Sequence, residues 1–210
     1  MKASQQAGGY AALVQAAAFL LSPINFIVLL PSLGIDPTAI PDPAKILSVV
    51  NSPILYVGSL IQILLAATVV IIALTLYDRA GGNGSNRMRW AVAAAVIGST
   101  LLLSAAMINV GSLRTLPGIP AEYQANLLLT ARVIGDALLA AAFFAVGWSF
   151  VLAGWAALQH GGLPPSMSIL VVLGGIAAIL TFIIPALRPL TAIVNLLWSL
   201  WLGIMLLRQP

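Results

Sequence analysis

Six long apolar stretches decide what this chain can become. They cover residues 9–31, 53–77, 90–112, 124–158, 166–187 and 189–207, and a membrane-crossing helix needs about 20 such residues. Backbone N–H and C=O groups in lipid must be bonded within the spanning structure, which leaves helices and closed barrels. Barrel strands would be about ten residues long and alternate in polarity, whereas these runs are continuous. The surface of a water-soluble domain is out of reach too: 61% of the 210 residues are hydrophobic and 7% charged, against about 25% charged in soluble domains. The expected fold is therefore all-α: one domain, residues 1–210, of six transmembrane helices in a bundle. The first apolar segment follows a single Lys with no strong cleavage site, so it reads as a retained span.

The joints between the spans are legible in the same way. The fourth segment is too long for a simple span and should begin as a loop extension near Pro120. Only a turn around Pro185, Arg188 and Pro189 separates the last two, which predicts a tight helical hairpin. In the loop 32–53, Asp42 followed by Pro43 is a helix start, a cap and then a first-turn proline. It predicts a short interfacial helix over 43–51. The stretch AGGNGSN (80–86) reads as a turn; its Asn83-Gly84-Ser85 triplet would lie on the cytoplasmic side, away from glycosylation.

Orientation rests on Lys/Arg bias. Lys2, Arg79, Arg87, Arg89 and Arg208 fall on one side, and Lys45, Arg114 and Arg188 on the other. The excess places both termini in the cytoplasm of a multi-pass inner-membrane protein. Tyr10, Tyr77, Trp90 and Trp155 fall at helix ends on one side, Tyr56 and Tyr123 on the other, as an aromatic belt would. The net charge of +4 comes with no long basic cluster, which argues against nucleic-acid binding.

Candidate functional residues are the polar ones within the spans. Asn25, Gln62, Asn109, Arg132, Asp136, Thr181 and Asn195 all count to the external half, about 5–14 Å from the external helix ends. Arg132 and Asp136 are one helical turn apart and can pair. An ionisable residue in a span costs about 2.5–3.5 kcal/mol on insertion scales, so the pair needs a reason to be there. Two readings compete: a ligand pocket opening outward beneath the 43–51 helix, or a structural layer of interhelical hydrogen bonds with Arg132 snorkelling to the headgroups. Gly147, Gly154, Gly174 and Gly175 form small-residue faces that suit internal packing or contact with a partner subunit.

Other chemistry is thin. The chain has no cysteine and one histidine, His160, so a bis-histidine haem or a multi-histidine metal site cannot form within one chain. His160 and Asp136 belong to opposite sides, which argues against a Ser-His-Asp arrangement. No cofactor, metal or enzyme activity is expected.

The opening GGYAALVQAAAFLLSPINFIVLLPSLG (8–34) resembles the bacterial six-span membrane proteins of the DUF4386 family of unknown function. The likeness lies in the Gly-Tyr/Ala start of the first span, the polar break at Ser22-Pro23-Ile24-Asn25 and the total length. It implies a bacterial inner-membrane protein and carries over no functional residue. The first functional expectation is a non-enzymatic accessory or scaffold subunit of a larger membrane complex, energetic or photosynthetic. Its partners would be lipids and further subunits, in hetero- or homo-oligomers. The alternative is a small transporter or a lipid or small-molecule binder around Arg132 and Asp136.

Overall fold

A computed structural model describes residues 2–79 and 86–208; the stretch 80–85, read from sequence as part of a turn and holding the Asn83-Gly84-Ser85 triplet, lies outside them. The described chain is 90% helical and contains no strand. Six of its helices are long and apolar enough to cross a membrane. They are α1 (Lys2–Ile24), α4 (Val57–Arg79), α5 (Asn86–Thr115), α6 (Ala121–His160), α7 (Pro165–Ile183) and α8 (Arg188–Arg208). A π-helical turn, Asn25–Leu29, and a last turn α2, Leu30–Ser32, prolong α1. The short α3 spans Pro43–Val49 with Asp42 as its cap: the carboxylate accepts from the Ala44 amide at 3.0 Å. The cap and the first-turn proline are those expected from sequence.

Each span packs on its neighbours in the chain, and α8 closes back on α1. The result is a ring ordered α1–α4–α5–α6–α7–α8. Its middle is solid. Trp198 and Phe150 meet edge-to-face with centroids 4.8 Å apart, and Ile72, Met167, Leu202 and Leu206 are buried with them. Large apolar side chains such as Leu74, Ile97, Val133, Ile169 and Ile193 are exposed around the outside, as lipid-facing surfaces require.

Small residues set the helix spacing. A Cβ on Gly147 would stand 2.7 Å from the Gly175 carbonyl oxygen, and one on Gly154 would stand 2.8 Å from that of Ser168. A Cβ on Gly174 would meet Trp198 Nε1 at 2.7 Å. The four glycines considered for a partner contact are thus buried between α6, α7 and α8. Of the two readings of these faces, internal packing is the one the ring uses; close backbone approach leaves them no surface for a partner.

The fourth segment starts near Pro120, as expected. It is a single unbroken helix from Ala121 to His160 with Pro120 at its N-cap. At 1.5 Å per residue its 40 residues extend about 60 Å, twice the hydrocarbon thickness of about 30 Å. Its neighbour α7, with 19 residues, spans only about 28 Å. One end of α6 must therefore stand clear of α7.

Candidate functional site

Two ends of the bundle can be told apart. The terminal end carries both chain ends; the loop end carries the segment 33–56. Pairs of facing residues fix the height of each polar group. Gly147 faces Gly175 and Gly154 faces Ser168, so α6 and α7 run antiparallel in step. Moving about three turns from Gly147 to Asp136 passes the last residue of α7, Ile183. Asp136, and Arg132 beyond it, sit above α7, level with and past the α7–α8 turn. Relative to α7 and α8 they stand at the loop-end rim of the bundle.

Arg132 does not turn into a polar pocket. Its guanidinium donates to the backbone carbonyls of Ala39 and, at 3.3 Å, Pro37. Its Nε lies 3.8 Å from Asp136 Oδ2, with the two side chains 35% and 55% exposed. Because α1 and α6 stand on opposite sides of the ring, segment 33–42 crosses the loop end as a strap, and Arg132 anchors its far side. Within the strap, Asp36 Oδ1 accepts from Thr38 N at 2.8 Å and from Thr38 Oγ1 at 2.7 Å. Those bonds from the Thr38 hydroxyl and amide hold the Asp36 carboxyl below its ordinary range. Past the strap, Ile46 of α3 packs on Leu113, Leu116 and Leu128 in a second apolar cluster. A cavity of about 140 Å³ lies within the strap, lined by residues including Ile35, Asp36, Ile40, Asp42, Lys45 and Ile46.

The remaining polar positions differ in both height and place. Asn25 faces Gly58 across α1 and α4: a Cβ on Gly58 would stand 3.2 Å from Asn25 Nδ2. Asn109 faces Gly135 across α5 and α6, where a Cβ would stand 3.3 Å from Asn109 Oδ1. Ser99 donates to the Ala66 carbonyl at 2.7 Å and ties α5 to α4 in register. These pairings put Asn25, Asn109 and Asp136 at one level around the ring. Gln62 lies a turn deeper on α4. Thr181 and Thr191 are hydrogen-bonded at 2.6 Å between α7 and α8. Asn195, next along α8, accepts from Trp198 Nε1 at 2.7 Å. The expected layer is therefore staggered in height and split among three helix seams, and no hydrogen bond joins Arg132 to it among the described residues.

Two members of the layer are unsatisfied. Asn25 is 9% exposed, and its Oδ1 has no hydrogen-bond partner. The Oε1 of Gln62 is likewise buried without a partner. Thr181, Thr191 and Asn195 are saturated by one another, by backbone and by Trp198. Sequence reasoning gave too little weight to a polar crossing nearer the terminal end. Gln15, fully buried, donates to Ser199 Oγ at 3.0 Å and accepts from Thr68 Oγ1 at 3.5 Å. It joins α1, α4 and α8. Its signal was visible as a lone Gln in an Ala-rich span, but the partners come from far along the chain.

His160 is exposed at the terminal end of α6, where Gly161, at a φ of 80°, ends the helix. No group of three or more His, Cys, Asp or Glu side chains suited to a metal occurs among the described residues. No protein-family model, no curated protein and no solved structure matches this chain.

Proposed function

We propose that this protein is a non-enzymatic, multi-pass membrane protein that binds a small polar ligand or a lipid headgroup at the loop-end rim. The observation that carries the reading is the pair of buried, unpartnered amide oxygens of Asn25 and Gln62 toward the loop end, over a core filled by Phe150 and Trp198. A sealed core favours holding a ligand over conducting one. The alternative of an accessory subunit keeps only the scarcity of extramembrane chain as support, since the Gly faces are spent inside the ring.

Placement in a bacterial inner membrane with both termini cytoplasmic belongs to the same proposal. Its support is the charge distribution. Lys2, Arg79, Arg87, Arg89 and Arg208 against Asp78 give the terminal end the whole net charge of +4. At the loop end, Lys45, Arg114, Arg132 and Arg188 balance Asp36, Asp42, Glu122 and Asp136. The positive-inside tendency assigns the basic end to the cytoplasm.

Native mass spectrometry after gentle extraction tests the binding reading. A discrete adduct of small mass, retained by the wild type and lost when Asn25 and Asn109 are both replaced by Leu, is the expected result. A chain that carries no adduct, or only other protein subunits, overturns it.

A further inference from the structure

The α1–α4 seam at the loop end has a construction found at no other seam described above. Pro23 lies inside α1, where it can donate no backbone bond. The π-turn Asn25–Leu29 follows at once, and single π-turns inside α-helices are frequent at functional sites. Asn25 heads that turn with its side chain nine-tenths buried and its oxygen unpartnered. Across the seam stands Gly58, whose missing side chain lets the Asn25 amide pack closely, Nδ2 standing 3.2 Å from where a Cβ would be. One turn further in, Gln62 presents a second buried, unpartnered oxygen. A buried acceptor left unsatisfied keeps its desolvation penalty, and these two stand one turn apart in height on neighbouring helices.

We infer that Asn25 and Gln62 form a site for a primary ammonium group, approached from the headgroup layer along the α1–α4 seam. The inference rests on the rim-binding reading above and names its ligand class. Two neutral oxygens are too few for a hard metal ion, which takes six or more oxygen ligands. A primary ammonium carries three donors and no acceptor; two amide oxygens take two of them, and the third stays with a headgroup phosphate or water. The height fits, because Asn25 is level with the end of α7, where a span of about 28 Å leaves the hydrocarbon. Leu21 and Leu60, both exposed, give the acyl chains of an aminophospholipid an apolar flank on α1 and α4. The shared chemistry, a primary amine, could also reach the site as a free solute.

The test uses the full chain in nanodiscs of phosphatidylethanolamine and phosphatidylcholine in equal amounts with identical acyl chains. The lipids retained after detergent exchange are read by native mass spectrometry. Trimethylation removes all three donors and keeps the charge, so retention of the ethanolamine lipid is expected to exceed that of the choline lipid about tenfold. Asn25→Leu and Gln62→Leu should each bring the ratio close to one, and Gly58→Val, whose side chain would displace the Asn25 amide, should do the same. Thr100→Val, on an exposed face of α5, should leave it unchanged. Calorimetry with O-phosphoethanolamine separates the sources: a titration lost in Asn25→Leu marks a free amine as ligand, and no heat together with a lipid preference marks the headgroup. Equal retention of both lipids, with retention still lost in Asn25→Leu, overturns the ammonium assignment while leaving rim binding in place. Retention indifferent to all three variants overturns both.

Discussion

Two polar crossings on the same helix seam, about three turns apart, have opposite fates. Near the middle of α1, Gln15 meets Thr68 and Ser199 and is sealed among them. Toward the loop end, Asn25 meets Gly58, and its oxygen meets nothing. Both are amides buried between α1 and α4. The difference lies in what the third helix brings. Opposite Gln15, α8 supplies a hydroxyl. At the level of Asn25, α8 has only begun, at Arg188. A buried amide is structural glue where a third helix completes it and keeps an unpartnered acceptor where none does.

The largest expected effect tests the tight end of that seam. A Cβ on Gly8 would run into the Thr75 side chain. Gly8→Val should therefore force α1 from α4 and cost about 1–3 kcal/mol, the usual range for overpacking. Gly58→Ala at the open end should cost under about 0.5 kcal/mol, because only a flexible amide tip has to move. Reversible unfolding in mixed micelles measures both. Equal losses would erase the contrast.

Gln15→Leu comes next. It removes two interhelical bonds and leaves Ser199 without its donor. Interhelical bonds in membranes are worth about 0.6–1.7 kcal/mol, so a loss of about 1–2 kcal/mol is expected in the same assay. Asn25→Leu should move the other way. With no bond to lose and an unsatisfied acceptor removed, it should be neutral or stabilising by up to about 1 kcal/mol. A clear destabilisation would show that Asn25 is glue after all.

Arg132→Ala acts locally. It frees the carbonyls of Pro37 and Ala39, and amide exchange across 35–41 should accelerate several-fold while overall stability changes by less than about 0.5 kcal/mol, since exposed ion pairs contribute little. Unchanged exchange would mean that α3 alone seats the strap.

The smallest effect is the strap's response to pH. The Thr38 bonds lower the Asp36 pKa, so their contribution is fully present above the ordinary Asp value of about 3.9. It is lost as pH falls through the lower folded value. Local exchange in the strap should hold steady down to about pH 4 and rise below it. Thr38→Val, which removes the larger of the two bonds, should move that rise to higher pH.

Sequence alone determined the six spans, the all-α class, the Asp42–Pro43 helix start and the concentration of basic residues at one end. All of these follow from composition and periodicity within a short window, and the membrane enforces them because no backbone group in lipid can be left unbonded. It also named most of the polar residues that matter. Their roles were decided only by tertiary structure. Arg132 was legible as an anomaly but not as a strap anchor, because its partners lie far back in the chain and its depth depends on where α7 ends. Asn25 and Thr181 look alike as lone polar residues in apolar helices. The neighbour that each helix meets at that height left one open and saturated the other, and helix register is a property of packing that no local stretch of sequence contains.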